Sequence, residues 1–139
     1  MQSAKAGDTE AGIGARIEAA RASAFKLTIY HLPPGLRTLV AVTAAALEAF
    51  PGVAVDEIGD AATIGSALDA LVAARPVPEN HPLNVRYGLI FTDVGGERIM
   101  RAYKGRFASE GQIEDTPCDF EEPSLHEWLI ARYPAARHG

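Results

Sequence analysis

The chain has 139 residues, a formal net charge of -5 and a hydrophobic fraction of 47%, a balance that indicates one folded domain and excludes a disordered or fibrous chain. The isoelectric point near 5.3 argues against nucleic-acid binding, because neutralising phosphates normally requires a basic domain. No stretch approaches the roughly 20 apolar residues that cross a bilayer, and the N-terminus lacks the pattern of a secretory signal. We therefore expect no membrane contact and favour the cytoplasm, although an exported protein already freed of its signal would have the same sequence.

The N-terminal part of the chain predicts a helix followed by a strand. Apolar residues at helical spacing favour an amphipathic helix over residues 10–24. Its apolar stripe consists of Ile13, Ile17, Ala20 and Ala24. Alternating apolar and polar residues then indicate a strand over 25–32, and the following Pro-Pro-Gly ends it.

The next two segments predict a short helix and a longer one. Residues 36–50 fit both a helix and a strand, and we favour a strand over 37–42 followed by a short helix capped by Thr43. Residues 60–75 predict a helix with Asp60 as its N-cap. The apolar face of that helix comprises Ile64, Ala67, Leu68 and Leu71.

A β-hairpin is predicted between residues 85 and 107, around the turn sequence Asp-Val-Gly-Gly-Glu. A three-residue loop at 94–96 keeps the apolar residues of both strands on one face of the hairpin. The pairs expected in this register are Phe91 with Ile99 and Tyr87 with Tyr103.

The opposite face of the hairpin is cationic in this register, and Arg86 lies across from Lys104. Because like charges in cross-strand positions repel, this ridge requires solvent or an anionic neighbour, which the acidic segment 110–122 supplies if it returns as a third antiparallel strand. We interpret the charges first as a solvated, mutually paired strand face and second as a surface for a partner. The candidate partner-binding residues are Arg86, Arg98, Lys104, Arg106, Glu114, Asp115 and Asp119.

Arg101 is an exception among these cations, because the register places it on the apolar face. A cation there extends past the helices, pairs with a carboxylate or faces a cleft. In a cleft, Arg101 could anchor a carboxylate or a phosphate of a ligand. The candidate pocket residues are Arg101, Tyr87, Tyr103 and His31.

Residues 124–134 predict a C-terminal helix. Ser124 and Glu127 form a capping-box pattern at its start. An apolar stripe that includes Trp128 is expected to dock this helix against the rest of the protein.

Motifs for well-known chemistries are absent from the sequence. There is no phosphate-binding glycine loop, no nucleophile elbow, and no zinc-protease or calcium-binding pattern. Cys118 is the only cysteine and has Asp119 beside it, so we interpret it as an unreactive thiol. The four histidines are scattered along the chain, and we expect no metal site and no cofactor.

Together these patterns predict a single α+β domain over residues 1–139, with disordered tails at 1–9 and 135–139. We expect an antiparallel sheet of about four to five strands, helices packed on one face, and a C-terminal helix. The leading hypothesis is a small non-enzymatic binding protein, such as an inhibitor or immunity-type protein, that contacts another protein through its charged sheet face. The alternative is a ligand-binding or enzymatic domain with a pocket between sheet and helices. A homo-oligomer that buries the edge strand 25–32 is compatible with both.

Overall fold

The structure, a computed structural model, describes residues 10–32, 41–77, 83–105, 110–120 and 124–133. Within these ranges the helices are α1 (Glu10–Ser23), α2 (Ala44–Leu47), α3 (Ala61–Leu71) and α4 (Ser124–Arg132). The strands are β1 (Lys26–His31), β2 (Ala54–Ile58), β3 (Ala74–Pro76), β4 (Val85–Thr92), β5 (Arg98–Gly105), β6 (Glu110–Ile113) and β7 (Thr116–Phe120). The predicted tails at 1–9 and 135–139 lie outside the described residues.

All seven strands belong to one antiparallel sheet, in the order β2-β1-β4-β5-β6-β7-β3. Helices α1, α3 and α4 pack on one side of it, called the helix face below, and enclose the main hydrophobic core. The short α2 lies on the opposite side, the α2 face, where Leu47 packs in a smaller cluster with Ile90 and Tyr103. The α+β class with an antiparallel sheet is confirmed, whereas the expected four to five strands and the placement of all helices on one face are wrong.

The predictions of α1 and α3 from apolar periodicity are confirmed. Ile13 and Ile17 of α1 are buried, as their helical spacing requires. Helix α3 begins after Asp60, whose Oδ2 accepts a hydrogen bond from the Thr63 N–H at 2.8 Å and so satisfies one of the free N–H groups of the first turn. The helix ends at Leu71, earlier than predicted, because the chain turns there into β3.

The C-terminal helix is also confirmed, and polar contacts join α4 to α3. The Trp128 indole N–H donates to Ser66 Oγ at 2.8 Å, and Ser124 Oγ donates to the Ala70 carbonyl at 3.3 Å. Leu129 is buried beneath the helix. Trp128 therefore docks α4 as predicted.

The two edge strands, β2 and β3, are not predicted by the sequence. In β2, Val55 and Glu57 are exposed, because an edge strand has one neighbour fewer. Strand β3 has three residues and ends at Pro76. Proline is tolerated in an edge strand because no second neighbouring strand requires the N–H group that proline lacks. Neither segment is long or apolar enough to give a period-2 signal.

The segment before α2 was predicted as a strand over 37–42. Residues 41 and 42 are not in a strand, and residues 37–40 lie outside the described residues. The predicted cap of the short helix is confirmed, since Thr43 Oγ1 accepts a hydrogen bond from the Ala46 N–H at 3.1 Å.

The hairpin of β4 and β5 has the predicted three-residue loop. The Asp93 N–H donates to the Glu97 carbonyl at 2.9 Å, which closes the loop around residues 94–96. Gly96 has a φ of 88°, the left-handed conformation that a type I turn completed by a glycine requires.

Beyond the loop the predicted register is wrong, because Ile99 is an extra residue in β5. Phe91 pairs with Met100, and Tyr87 pairs with Lys104. A shift by one residue moves each later side chain of a strand to the other face of the sheet. The β5 residues that consequently share the helix face are Met100, Ala102 and Lys104, and those on the α2 face are Arg101 and Tyr103.

The acidic segment 110–122, predicted as one strand, is a hairpin over its described part. Strand β6 pairs with β5, as expected for this segment, and β7 then returns beside β6. Glu114 in the turn has a φ of 52°, which is uncommon for a residue other than glycine. Its carboxylate accepts hydrogen bonds from the Arg101 N–H at 2.7 Å and from Arg101 Nη1 at 3.2 Å, and these contacts hold the turn.

We predict that Asp93→Ala lowers the free energy of unfolding by about 1–2 kcal/mol. The Asp93 carboxylate accepts hydrogen bonds from the N–H groups of Gly95 and Glu97, each at 2.9 Å, and alanine leaves both donors to water. Asp93→Asn retains one acceptor oxygen, so urea unfolding should show a loss of unfolding free energy less than half of that in Asp93→Ala. Equal losses in the two variants would show that these hydrogen bonds do not define the turn.

Candidate functional site

A row of polar side chains crosses the helix face near one end of the sheet. His31 on β1 pairs with Tyr87 on β4, and Tyr87 pairs with Lys104 on β5. Because directly paired residues of antiparallel strands share a face, the three side chains stand side by side. The His31 and Tyr87 rings are stacked with centroids 6.4 Å apart. We call these three residues the polar row.

Lys104 is the most unusual member of the polar row, because a lysine is rarely buried. Its side chain has 0% exposure. The Nζ atom donates to the Gly105 carbonyl at 3.2 Å and lies 5.3 Å from the centroid of the Tyr87 ring. Burial lowers the pKa of Lys104 from 10.5 to about 8, partly opposed by the nearby Glu110 carboxylate.

Two further polar side chains, those of His126 in α4 and of Tyr133 directly after that helix, lie near the row. The His126 Nδ1 atom is buried and has no hydrogen-bond partner within the described part of the chain. The Tyr133 ring lies 4.2 Å from the His31 ring, centroid to centroid, and its hydroxyl donates to Asp56 Oδ2 at 2.7 Å. These contacts extend the row into a cluster of ionisable groups that includes both sheet and helix.

The pKa values in this cluster are shifted by burial and by mutual contacts. Burial lowers the pKa of His126, and the charge of Lys104 lowers it further. Burial also lowers the pKa of His31, against the opposing effect of Asp56. The hydrogen bond from Tyr133 lowers the pKa of the Asp56 carboxyl group, whereas burial raises the pKa of Tyr133. Such shifted pKa values are typical of functional sites but also occur in structural networks.

Only two of the four residues predicted to line a pocket with Arg101 lie on the helix face of the sheet. His31 and Tyr87 lie together in the polar row, but Arg101 and Tyr103 lie on the opposite face of the sheet. The Arg101 side chain is 43% exposed, and its Nη1 is 3.2 Å from Glu114 Oε1. The predicted position of Arg101 between sheet and helices is therefore wrong, because Ile99 shifts the register.

The charged ridge predicted as a partner surface is also divided. Arg86 and Lys104 are both fully buried rather than facing solvent. Arg86 occupies an irregularity in the pairing of β4 with β5, and its Nη1 donates to Asn84 Oδ1 at 2.7 Å and to the Val85 carbonyl at 3.0 Å. Of the predicted cations, these two are excluded from an open surface.

The remaining residues of that predicted surface do not form one patch. Arg98 Nη1 and Nη2 donate to the two oxygens of Glu48 at 2.8 and 2.6 Å, on the α2 face. Asp115 is exposed at the turn between β6 and β7, and Asp119 of β7 is partly buried. Glu114 is engaged by Arg101, as described above, and Arg106 lies outside the described residues.

A cleft of about 350 Å³ opens on the α2 face, at the end of the sheet nearest the β4–β5 turn. Its uncharged lining includes Phe25, Thr28, Tyr30, Ile90, Thr92 and Val94. Phe25 is 60% exposed and Val94 is 80% exposed, so two large apolar side chains stand at its mouth. We call this feature the hairpin cleft.

The surroundings of the hairpin cleft carry more acidic than basic groups. Lys26 Nζ is 3.7 Å from Glu57 Oε2, and Arg98 is held by Glu48 as described above. Both cations therefore have a carboxylate of their own. Asp93 lines the cleft, and Glu97 is exposed beside it in the turn. Their carboxylates leave an excess of negative charge around the cleft.

Neither the hairpin cleft nor the buried position of Lys104 is predicted by the sequence. Phe25 begins the strand predicted over 25–32, and alternation cannot distinguish an apolar residue at an uncovered strand end from one in the core. Val94 stands in the predicted turn and could have been identified as an exposed valine. No sequence signal identified Ile99 as the extra residue that turns Lys104 inward.

The described residues give no support for a nucleophilic cysteine, a metal site or a membrane-spanning helix. Cys118 is buried, its Sγ donates to the Thr116 carbonyl at 3.3 Å, and burial raises its pKa to about 11, which disfavours the nucleophilic thiolate. The described ranges contain no group of three or more histidine, cysteine or acidic residues arranged to hold a metal ion. None of the described helices has the length and apolar character needed to cross a membrane.

Comparisons with known proteins add no family to these observations. No protein-family model matches the chain, and neither the curated proteins nor the solved structures include a significant match.

Proposed function

We propose that the protein is a non-enzymatic binding protein that contacts a protein partner through the hairpin cleft. The observation that supports this proposal is the cleft with the exposed Phe25 and Val94 at its mouth. Apolar side chains exposed around a concave surface with a polar rim are typical of interaction sites. The proposal keeps the expected class of function but places it on a different surface from the predicted charged ridge.

The position of α2 explains why this part of the sheet is open. Leu47 packs over Gly88, where an added Cβ would lie 2.8 Å from Leu47 Cδ2, so the helix covers the middle of β4. Closer to the turn, Ile90 and Thr92 of the same strand line the cleft instead. The cleft is thus built on paired strands of the sheet, beside the extra residue Ile99 of β5, which favours a preformed site over one that forms on binding.

The chemistry of the cleft favours a partner segment with an apolar side chain next to basic residues. The volume is near the lower end of that of ligand pockets, which suits a single inserted side chain better than a large cofactor. Glu57, Asp93 and Glu97 lie at or beside the mouth, and the whole chain carries a net charge of -5. Lysine or arginine residues flanking the inserted side chain would complement this charge and accelerate association.

A peptide-display selection tests this proposal. Random peptides selected on the unaltered protein should be enriched in an aromatic or aliphatic residue adjacent to lysine or arginine. Phe25→Ser should weaken the best peptide about 30-fold, equivalent to about 2 kcal/mol for a central apolar contact, as measured by titration calorimetry. Val72→Ser is the matched control, because Val72 is also 60% exposed but does not line the cleft, and it should change affinity less than twofold.

Two results would contradict the proposal. One is a selection in which no basic-apolar peptide is enriched. The other is a peptide that binds the Phe25→Ser and Val72→Ser variants equally well, because it must then bind elsewhere. Thermal unfolding of both variants serves as the check that each remains folded.

A further inference from the structure

We propose that the protein partner of the hairpin cleft binds with an extended segment that adds to the outer edge of β2 as an antiparallel strand, with a lysine or arginine opposite Glu57. This inference rests on the proposed function and specifies how that partner is held. It is supported by the uncovered side of β2, by the direction of its backbone groups and by the charge of Glu57.

The outer side of β2 is open. The strand stands at one end of the sheet, and within the described ranges it pairs with β1 alone. Val55 is 54% exposed, and the Glu57 side chain is 63% exposed. An edge strand of this kind presents N–H and C=O groups to which a segment of another chain can add as a further strand.

The hydrogen bonds of β1 identify which backbone groups of β2 point outward. The Leu32 N–H donates to the Arg86 carbonyl beside β4 at 2.9 Å, and successive residues of an antiparallel strand bond to neighbours on alternate sides. The even-numbered residues of β1 therefore bond to β4, and the odd-numbered ones bond to β2. The β2 partners of the odd-numbered residues are Ala54, Asp56 and Ile58. The N–H and C=O groups of Val55 and Glu57 consequently point away from the sheet.

A second copy of the chain fits this edge poorly. Two β2 strands that pair through Val55 and Glu57 place their Asp56 residues directly opposite each other, and like charges in that position are destabilising. In the register centred on Val55, Glu57 would instead face Val53. The Val53 N–H already donates to the Phe50 carbonyl at 3.1 Å. The edge therefore favours a strand from a different protein.

The charge of Glu57 selects a basic strand. Glu57 belongs to β2 and also lines the hairpin cleft, so a segment paired at Glu57 lies at the rim of the cleft. Its carboxylate is 3.7 Å from Lys26 Nζ, a long contact for an ion pair. A lysine or arginine opposite Glu57 would pair with this carboxylate, and an apolar side chain two positions along the segment would pack against Val55.

Hydrogen exchange of single amides, measured by NMR on the unaltered protein, tests the added strand. The probe is the best peptide from the selection described above. At a peptide concentration of about 100 times its Kd, exchange at the Val55 and Glu57 N–H groups should slow at least about tenfold. The N–H groups of Ala54 and Asp56 point towards β1, so their exchange should change much less and serves as the internal reference.

A substitution in β2 provides a second test. Val55→Pro removes an outward N–H group, which an edge strand tolerates, and should weaken the peptide at least about tenfold. Val55→Thr is the matched control, because it keeps the N–H group and the β-branched shape, and it should weaken the peptide less than about threefold. If Val55→Pro does not fold, N-methylation of successive peptide residues replaces it, because in an added strand alternate peptide amides should be sensitive.

The outcomes separate this inference from the proposed function. A peptide that depends on Phe25 but leaves exchange at Val55 and Glu57 unchanged overturns the added strand and retains the cleft. A peptide that slows exchange there yet binds the Phe25→Ser variant equally well supports the added strand and overturns the cleft. A selection that yields no binding peptide overturns both. Protection that appears without peptide as the protein concentration rises would identify a second copy as the occupant and overturn the different partner.

Discussion

The variant Lys104→Met should be stabilised relative to the unaltered protein at pH 7, and this difference should shrink by about 3 kcal/mol as the pH is raised to about 10.5. Burial lowers the pKa of Lys104 from 10.5 to about 8 in the folded protein. Between these values the unfolded chain binds more protons than the folded one, so the stability of the unaltered protein rises with pH. Methionine has no such titration.

Urea unfolding of both proteins at a series of pH values measures this effect, because contributions from the tyrosines and Cys118 are common to both and cancel in the difference. Lys104→Arg is the matched control. Its guanidinium group stays protonated over the whole range, so its stability should fall relative to the unaltered protein as the pH rises. A difference between Lys104→Met and the unaltered protein that does not change with pH would show that burial does not alter the titration of Lys104.

The substitution Gly111→Ala should destabilise the protein by about 3 kcal/mol. A Cβ at Gly111 would lie 2.6 Å from the Tyr103 carbonyl oxygen and would also overlap Cε2 of the buried Phe120 ring. A side chain can rotate away from such a contact, but a backbone oxygen within a sheet cannot. The overlap must therefore be relieved by distortion of β6 or of its neighbours, which thermal or urea unfolding would detect.

Gly14→Ala provides the matched control for Gly111→Ala. Gly14 lies within α1, and a Cβ there meets nothing within 4 Å. Because alanine is the better helix former, this variant should gain about 0.5–1 kcal/mol. A similar, small effect at both positions would mean that the packing of Phe120 over Gly111 is looser than the structure shows.

The elements with strong local signals could be predicted from the sequence. Helices α1, α3 and α4 each bury one apolar face, and the 3.6-residue period of that face is visible in the residues themselves. The N-caps Thr43 and Asp60 and the three-residue loop at 94–96 also follow from local chemistry, because their hydrogen bonds join residues close in the chain. The edge strands could not be predicted, since their pairing partners are distant in sequence and neither strand is long enough to show a period-2 pattern.

The candidate sites were less predictable than the fold, and the reason can be traced to Ile99. The loop residues were identified correctly, yet one extra residue after the loop reverses the orientation of Arg101, Tyr103 and Lys104. A bulge is stabilised by the packing on both sides of the sheet, which a pairwise comparison of two strands does not include. Lys104 of the predicted solvent-facing ridge is thereby buried, and Arg101, predicted on the apolar face, is instead partly exposed and paired with Glu114.

The amino-acid sequence alone determined the class of the fold, its helices and its central hairpin, because these depend on periodicity and on contacts between neighbouring residues. Only the tertiary structure decided which face of β5 meets the helices, where α2 leaves the sheet uncovered, and which charges are removed from water. These outcomes depend on the side chains packed on both faces of the sheet at once. The hairpin cleft and the burial of Lys104 both result from this packing on the two faces of the sheet.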